Sequence, residues 1–496
     1  MPPMKTPGVY IVEKDAFPNS VVEVATAVPA FIGYTERAEN VHKSLLNKPF
    51  RITSLVEYIQ YFGEGPVPQY ELSQSDNEPV VTATGQPYIF YNALRFFFQN
   101  GGGPCYIISV GNYTDEISLQ PLQKGIKPLE KEQEPTMLVI PEAVKLQQAD
   151  CYTLQENMLD HCGEMESRVA ILDIYQGYLP RTNDDEDVIT AFRDGISTNH
   201  LSYGATYYPW LHTTIVSPQE LDLNNLSSGS IETLQGILYK EFNISPSANE
   251  GEDPRTGQIR DLINSIPSVM EDDQHGHKVK ELSLTLTAIS PTFSNIMLDI
   301  QKDLNFLPPA SAMAGVYTMV DNNRGVWKAP ANVSLSSVIA PSVNISHAEQ
   351  EDLNTPLNGK AVNALRTFIG EGILVWGART LDGNSNDWRY INVRRTMIML
   401  EQSIKAACQA YVFEPNVANT WITIKGMIEN FLSGIWKQGG LAGAKPNDAY
   451  SVSVGLGSTM TSEDILEGIM RVTVLVAISR PAEFIEMTFQ QQMQKS

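Results

Sequence analysis

Apolar residues fall into short unbroken runs through the first two fifths of the chain, with helix-period stretches between them. Ala30-Phe31-Ile32-Gly33-Tyr34 has the look of a strand buried on both faces. Thr53 or Ser54 can cap a helix that places Leu55, Val56, Tyr58, Ile59 and Phe62 on a broad apolar face before Gly63 ends it. A second helix is predicted over Tyr88–Gln99. It stops at Gly101-Gly102-Gly103-Pro104, and the run Cys105–Val110 follows as a strand. Met137–Ile140, Val169–Ile174 and Gly204–Tyr208 read as further strands, with helices between the first two and near Asp187–Arg193. Strands interleaved with helices predict an α/β core with a buried sheet over residues 21–350. Asn112–Pro135 and Ser217–Leu282 are long and polar, the second also acidic, and both read as outer insertions.

The pattern changes towards the C-terminus. Asn392–Tyr411 keeps helical spacing through Val393, Met397, Leu400, Ile404 and Cys408. A second helix, capped near Asn419 or Thr420, carries Trp421, Ile424, Ile428, Phe431, Leu432, Ile435 and Trp436 before Gly439-Gly440. Tyr450–Val454 and Met470–Ile478 read as strands, with a short helix begun by Thr461-Ser462-Glu463-Asp464 between them. An α+β domain over 354–480 is the expectation. Each end adds an extended segment without a local hairpin partner: an arm over 1–20 containing Val9, Tyr10, Ile11 and Val12, and another over 481–496 containing Phe484, Ile485, Glu486 and Met487. No internal repeat is evident.

Charge sharpens this division. The chain is 496 residues long with a formal net charge of −22. From Asn354 onward it holds 13 Lys and Arg against 12 Asp and Glu, so the acidity lies in residues 1–353. That balance argues against nucleic acid or an anionic membrane as the main partner. It makes the nearly neutral, aromatic C-terminal part the better candidate for lasting protein contacts. No secretory leader or run of the ~20 apolar residues needed to span a membrane is visible, so assembly in a bacterial cytoplasm is the expectation. The four cysteines, Cys105, Cys151, Cys162 and Cys408, form no C-x-x-C pair and read as reduced, partly buried residues.

Catalytic patterns are weak. There is no Gly-x-Ser-x-Gly elbow and no phosphate-binding Gly-x-x-x-x-Gly-Lys motif. Gly101-Gly102-Gly103 has no lysine after it and suits a helix stop. His275-Gly276-His277 beside Glu271, Asp272 and Asp273 has no standard metal spacing, and His161-Cys162 reads as a chance adjacency rather than a dyad. Gly455-Leu456-Gly457 lacks the third glycine of a dinucleotide site. Trp421, Phe431 and Trp436 can line a pocket but more commonly pack a core. No catalytic residue, cofactor or metal is expected.

Several blocks, in order, resemble the tail sheath proteins of contractile phages and bacterial injection particles. They are Thr6-Pro7-Gly8-Val9-Tyr10, Asn100 to Tyr106, Tyr207-Tyr208-Pro209-Trp210, and Arg324-Gly325-Val326-Trp327-Lys328-Ala329-Pro330-Ala331-Asn332. They continue with Val375 to Thr380, Trp388 to Arg395, Phe413-Glu414-Pro415-Asn416 and Arg480-Pro481-Ala482-Glu483. The resemblance implies a structural subunit that polymerises with itself as stacked, six-fold rings around an inner tube protein, with baseplate and cap proteins as further partners. It implies that the arms complete a sheet of neighbouring subunits by strand addition. It also implies that the second C-terminal helix faces the tube, with Lys425, Glu429 and Lys437 at that surface. An α/β hydrolase-like enzyme and a non-contractile surface-layer protein are the competing expectations.

Overall fold

The computed structural model describes residues 20–75, 78–182, 187–247, 253–272 and 277–488. The chain forms two compact units. Among the described residues, one falls within 26–324 and 329–394, the other within 20–25, 325–328 and 395–488.

The larger unit is built on an eight-stranded sheet. Its strands are β1 (Pro29–Gly33), β2 (Phe50–Ile52), β3 (Cys105–Ser109), β4 (Met137–Val139), β5 (Val169–Asp173), β6 (Gly204–Tyr208), β7 (Asn363–Phe368) and β8 (Gly372–Trp376). Their spatial order is β8-β7-β6-β5-β4-β1-β3-β2. Neighbours from β7 across to β3 are parallel, and β8 and β2 add antiparallel edges. β1, β3, β4, β5 and β6 are buried along their whole length, as their unbroken apolar runs required. The helix predicted after Ser54 spans Leu55–Phe62, with the Ser54 side chain accepting from Glu57 N and Gly63 closing it at φ 85°. Two further helices, α1 (Phe90–Gln99) and α2 (Ala310–Arg324), pack against each other. They approach closely at Gly315, where a Cβ would come within 2.5 Å of the Phe97 carbonyl oxygen.

Three expectations change. The border at 354 lies inside the larger unit, because β7 and β8 are hydrogen-bonded into its sheet. The polar stretch after Asn112 is not a loose insertion: Leu119–Ile126 is a helix that buries Leu122 and Ile126 in the core. The acidic stretch after Ser217 is helical, with Ile231–Phe242, Pro254–Asp272, His277–Ile289 and Pro291–Leu304. It shares a hydrophobic core with the hairpin Gln69–Ser75/Glu78–Thr84. Tyr70 and Leu72 enter that core from the hairpin, the Tyr70 hydroxyl donates to Asp303 Oδ2 at 2.6 Å, and Leu72 N donates to Ser230 Oγ at 2.7 Å.

The smaller unit contains α3 (Ile391–Cys408) from Arg395 onward, α4 (Ala418–Lys437), and the antiparallel pair β9 (Tyr450–Val454) and β10 (Val472–Val476). Its core joins Met399 and Leu400 of α3, Ile424, Met427, Ile428, Leu432 and Ile435 of α4, and Val452 of β9. The short helix Ser462–Leu466 begins at Thr461 with a capping box to Asp464, as the sequence predicted.

Candidate assembly interface

A parallel sheet of this kind offers its ligand site where the strand order reverses, beyond the carboxyl ends of the strands. Here that point is β1, flanked by β3 and β4. The crevice is filled by the protein itself. The Phe90 ring lies so close that a Cβ on Gly33 would meet its Cδ2 at 2.1 Å. Tyr34, Tyr88 and Tyr113 pack in a row with centroid separations of 5.7 and 5.1 Å. Thr35 Oγ1 and Ser109 Oγ share a hydrogen bond at 2.7 Å. Glu142, following β4, is fully buried and accepts from Tyr34 N at 2.9 Å and Phe90 N at 3.4 Å, so it joins the end of β1 to the start of α1. Burial pushes the Glu142 carboxyl up to about 7, against the pull of those backbone donors and Lys145. At the end of β5, Asp173 accepts from Ala310 N at 2.8 Å, and burial likewise raises it to about 7. Both carboxylates serve helix N-termini. Their raised pKa values have a structural cause, burial at positions that hold helix ends.

The other chemical candidates resolve into packing. Burial pushes the Cys162 thiol up to about 12, and burial, with the Arg168 guanidinium nearby, lowers His161 to about 4. Neither is poised as a nucleophile or base at neutral pH. Trp421 Nε1 donates to Asn416 Oδ1 at 2.7 Å and Trp436 Nε1 to the Gly443 carbonyl at 3.0 Å, while Phe431 packs on the core of the smaller unit. Among the described residues no cluster of His, Cys, Asp and Glu could hold a metal, and no helix is long and apolar enough to cross a membrane. Part of the His275–His277 group lies outside the described residues.

The smaller unit presents a different kind of surface. β9 and β10 pair over their full length, from Tyr450↔Val476 to Val454↔Val472. One face rests on α4 through Val452, while Ser451, Thr473 and Leu475 on the other are exposed, Leu475 at 63%. Among the described residues no further strand pairs with β9 or β10, and Leu441 bridges Ile478 just past the end of β10. Packing on α4 supports the pair, and its open edge is a template for pairing. The large sheet manages its edges differently. Along β8, Asn332 N donates to the Val375 carbonyl at 2.8 Å and Val375 N to the Val333 carbonyl at 3.0 Å, and β2 is only three residues long.

The expected arm residues fall into two groups. Val9, Tyr10, Ile11 and Val12 lie outside the described residues. Phe484, Ile485, Glu486 and Met487 follow β10 without regular structure, and the three apolar side chains among them are 76%, 79% and 73% exposed. On α4, Lys425 Nζ lies 3.7 Å from Glu429 Oε1, and both side chains are part-exposed. Lys437 is exposed in the last turn. Twelve residues at ~100° each set Lys437 about 120° around the helix from Lys425, so one flat partner does not meet both squarely.

Comparison with known proteins shows what the chain as a whole is similar to. Residues 384–492 match the family model of the phage tail sheath C-terminal domain. Over the whole chain the fold is similar to that of contractile sheaths. One is the sheath of an extracellular contractile injection system, PVC, in the contracted state, with 27% identity, TM-score 0.60, and 99% of each chain covered. Another is the contracted helical sheath of the anti-feeding prophage, with 27% identity, TM-score 0.61, and 99% of this chain and all of that one covered. The tail sheath protein of Vibrio phage KVP40 is 24% identical over 229 residues, 45% of this chain and 29% of that protein. The chain thus matches less than a third of the curated phage relatives' length. The resemblance to contractile tail sheath proteins therefore holds in sequence family, in curated relatives and in fold.

Proposed function

We propose that this chain is a sheath subunit of a contractile injection particle. It polymerises with itself around an inner tube in a metastable extended state, then shortens to drive the tube through a target envelope. The observation that carries the reading is the open two-stranded sheet β9–β10, set beside exposed apolar residues at Phe484–Met487 in a chain whose whole fold is similar to two injection-particle sheaths. Strand addition by the arms of neighbouring copies covers the open edges of β9 and β10. The arms then tether subunits while weaker contacts between rings rearrange, and the stroke draws on the better contacts of the shortened state. A tube protein meets α4 on the side that carries Lys437, with Lys425 and Glu429 towards the margin of that contact, and baseplate and cap proteins close the ends of the array. Rings of six suit a closed cyclic assembly.

No enzymatic step belongs to this reading. The filled crevice at β1 leaves no room for a substrate where such a sheet would hold one. Likeness along the full chain to injection-particle sheaths, against partial likeness to phage sheaths, favours an injection particle over a phage tail. The test is electron microscopy of the purified chain, alone and with its tube protein. Long hollow cylinders are expected. A chain that stays globular at every concentration and in the presence of the tube would overturn the proposal.

A further inference from the structure

On α4 an open groove of about 440 Å³ is lined by Ser20, Val21, Glu23, Met427, Asn430, Phe431, Gly434, Ile435 and Gln438. Met427, Phe431 and Ile435 recur every four residues and form an apolar floor, with Met427 and Ile435 almost fully buried. Gly434 leaves the wall open, since a Cβ there meets nothing within 4 Å. The opposite rim is the N-terminal segment itself. Val21 and Val24 pack on the core of this unit, and Val24 N donates to Ser403 Oγ at 3.0 Å. The described chain therefore starts on the lip of an apolar groove, with 19 residues preceding it.

We propose that this groove seats the residues just before Ser20 of the same chain, with the Phe17 ring as its apolar filling. Three residues of extended chain reach about 10 Å, enough to carry Phe17 from the rim to the floor. Pro18 disfavours helix at Phe17 and keeps the approach extended. Within Glu13-Lys14-Asp15-Ala16-Phe17-Pro18-Asn19 the phenyl ring is the single large apolar side chain. The docked ring makes residue 17 the fixed base of the N-terminal arm, so only the residues before it are free to reach another molecule. Docking of this kind belongs to the unassembled chain and holds whether or not the chain polymerises.

The test is an Ala16→Cys/Gly434→Cys pair, which keeps the Phe17 ring, in a Cys408→Ser background, the other three cysteines being buried. The dilute protein is treated with a short bismaleimide and compared with an Ala16→Cys/Ile369→Cys control. Ile369 is fully exposed and belongs to the larger unit. A cross-link within one chain is expected, confirmed by peptide mass and independent of protein concentration. Links only between copies, fading on dilution, would assign the groove to a second molecule and overturn the proposal, and so would a yield no higher than the control. A second reading uses trypsin at Lys14. Phe17→Ser should raise the rate of cleavage about 10-fold, in line with the loss of one buried aromatic ring. Cleavage at the unmodified rate would equally reject the docked ring.

Discussion

If the segment after β10 adds to an open edge of β9–β10 in a neighbouring copy, side-chain burial rather than hydrogen bonding must decide its affinity. Each new backbone hydrogen bond contributes about 0.5–1.5 kcal/mol net. Fixing each residue of the arm costs about 1–2 kcal/mol. A short strand therefore gains little from its ladder alone. The surplus has to come from apolar side chains, at roughly 1.5–3 kcal/mol for each one fully buried. Phe484, Ile485 and Met487 are exposed in the single chain and available for that purpose. Successive side chains of a strand alternate in direction, so Ile485 and Met487 share one face while Phe484 and Glu486 share the other. The face turned towards α4 is the apolar one in β9. Ile485→Ser/Met487→Ser should thus remove about 3–6 kcal/mol per joint, or two or more orders of magnitude in the concentration needed to polymerise. Glu486→Gln should have little effect. The assay is the critical concentration by pelleting, with cylinders counted by microscopy and thermal unfolding of the unassembled chain as a folding control. Polymerisation of the double variant at the unmodified concentration, with its fold intact, would refute the argument.

Removal of residues 1–19 should give a folded chain that fails to form cylinders, checked by circular dichroism and microscopy. Normal cylinders would place the joint elsewhere. The carboxyls of Glu142 and Asp173 are both raised to about 7, from 4.5 and 3.8, so the fold holds their protons more tightly than the unfolded chain does. Their contribution is fully present below the unfolded values and is lost as pH rises through about 7. For Glu142 alone that is of order 3 kcal/mol. Urea midpoints should fall between pH 5 and pH 8, with a shallower slope in Glu142→Gln, and equal slopes would remove Glu142 from the account. Lys437→Glu should weaken assembly on tubes, and raising salt should narrow the difference from the unmodified chain by screening it. Unchanged co-sedimentation with tubes would assign that contact to other residues.

Much of the large sheet was legible because its central strands are buried on both faces and read as unbroken apolar runs. β7 and β8 were not. Asn363-Ala364-Leu365-Arg366-Thr367-Phe368 mixes polar and apolar residues, and its partner is reached through Gly370 and Gly372. Without those strands the domain border shifted to the wrong side of the hairpin. The hairpin at Gln69–Thr84 did alternate, with Tyr70 and Leu72 inward, but the core it serves comes from helices some 150 residues later. Such long-range partnership leaves no local trace. The same holds for the filled crevice, since Glu142 is one acidic residue after one short strand until the fold brings Tyr34 and Phe90 to it. In the smaller unit α4 begins after Val417 without a side-chain cap, ahead of the caps expected at Asn419 or Thr420. Its helices and strands were nonetheless legible from their period, and the short helix from its Thr461 cap. The alignment of Lys425 with Lys437 was not, because it depends on angle around α4 and on the Glu429 carboxylate beside Lys425.

The filled crevice at β1 has a mechanical consequence. In a ligand-binding sheet the switch point is the soft place, where two halves part to admit a substrate. Here aromatic rings and a buried carboxylate bond across it, and a close-packed interior has little compressibility. The sheet core of the larger unit thereby becomes a stiff block at the point where such sheets usually part. In an array of such blocks, strain imposed from one end passes through each body undiminished and is taken up by the segments that join one body to the next.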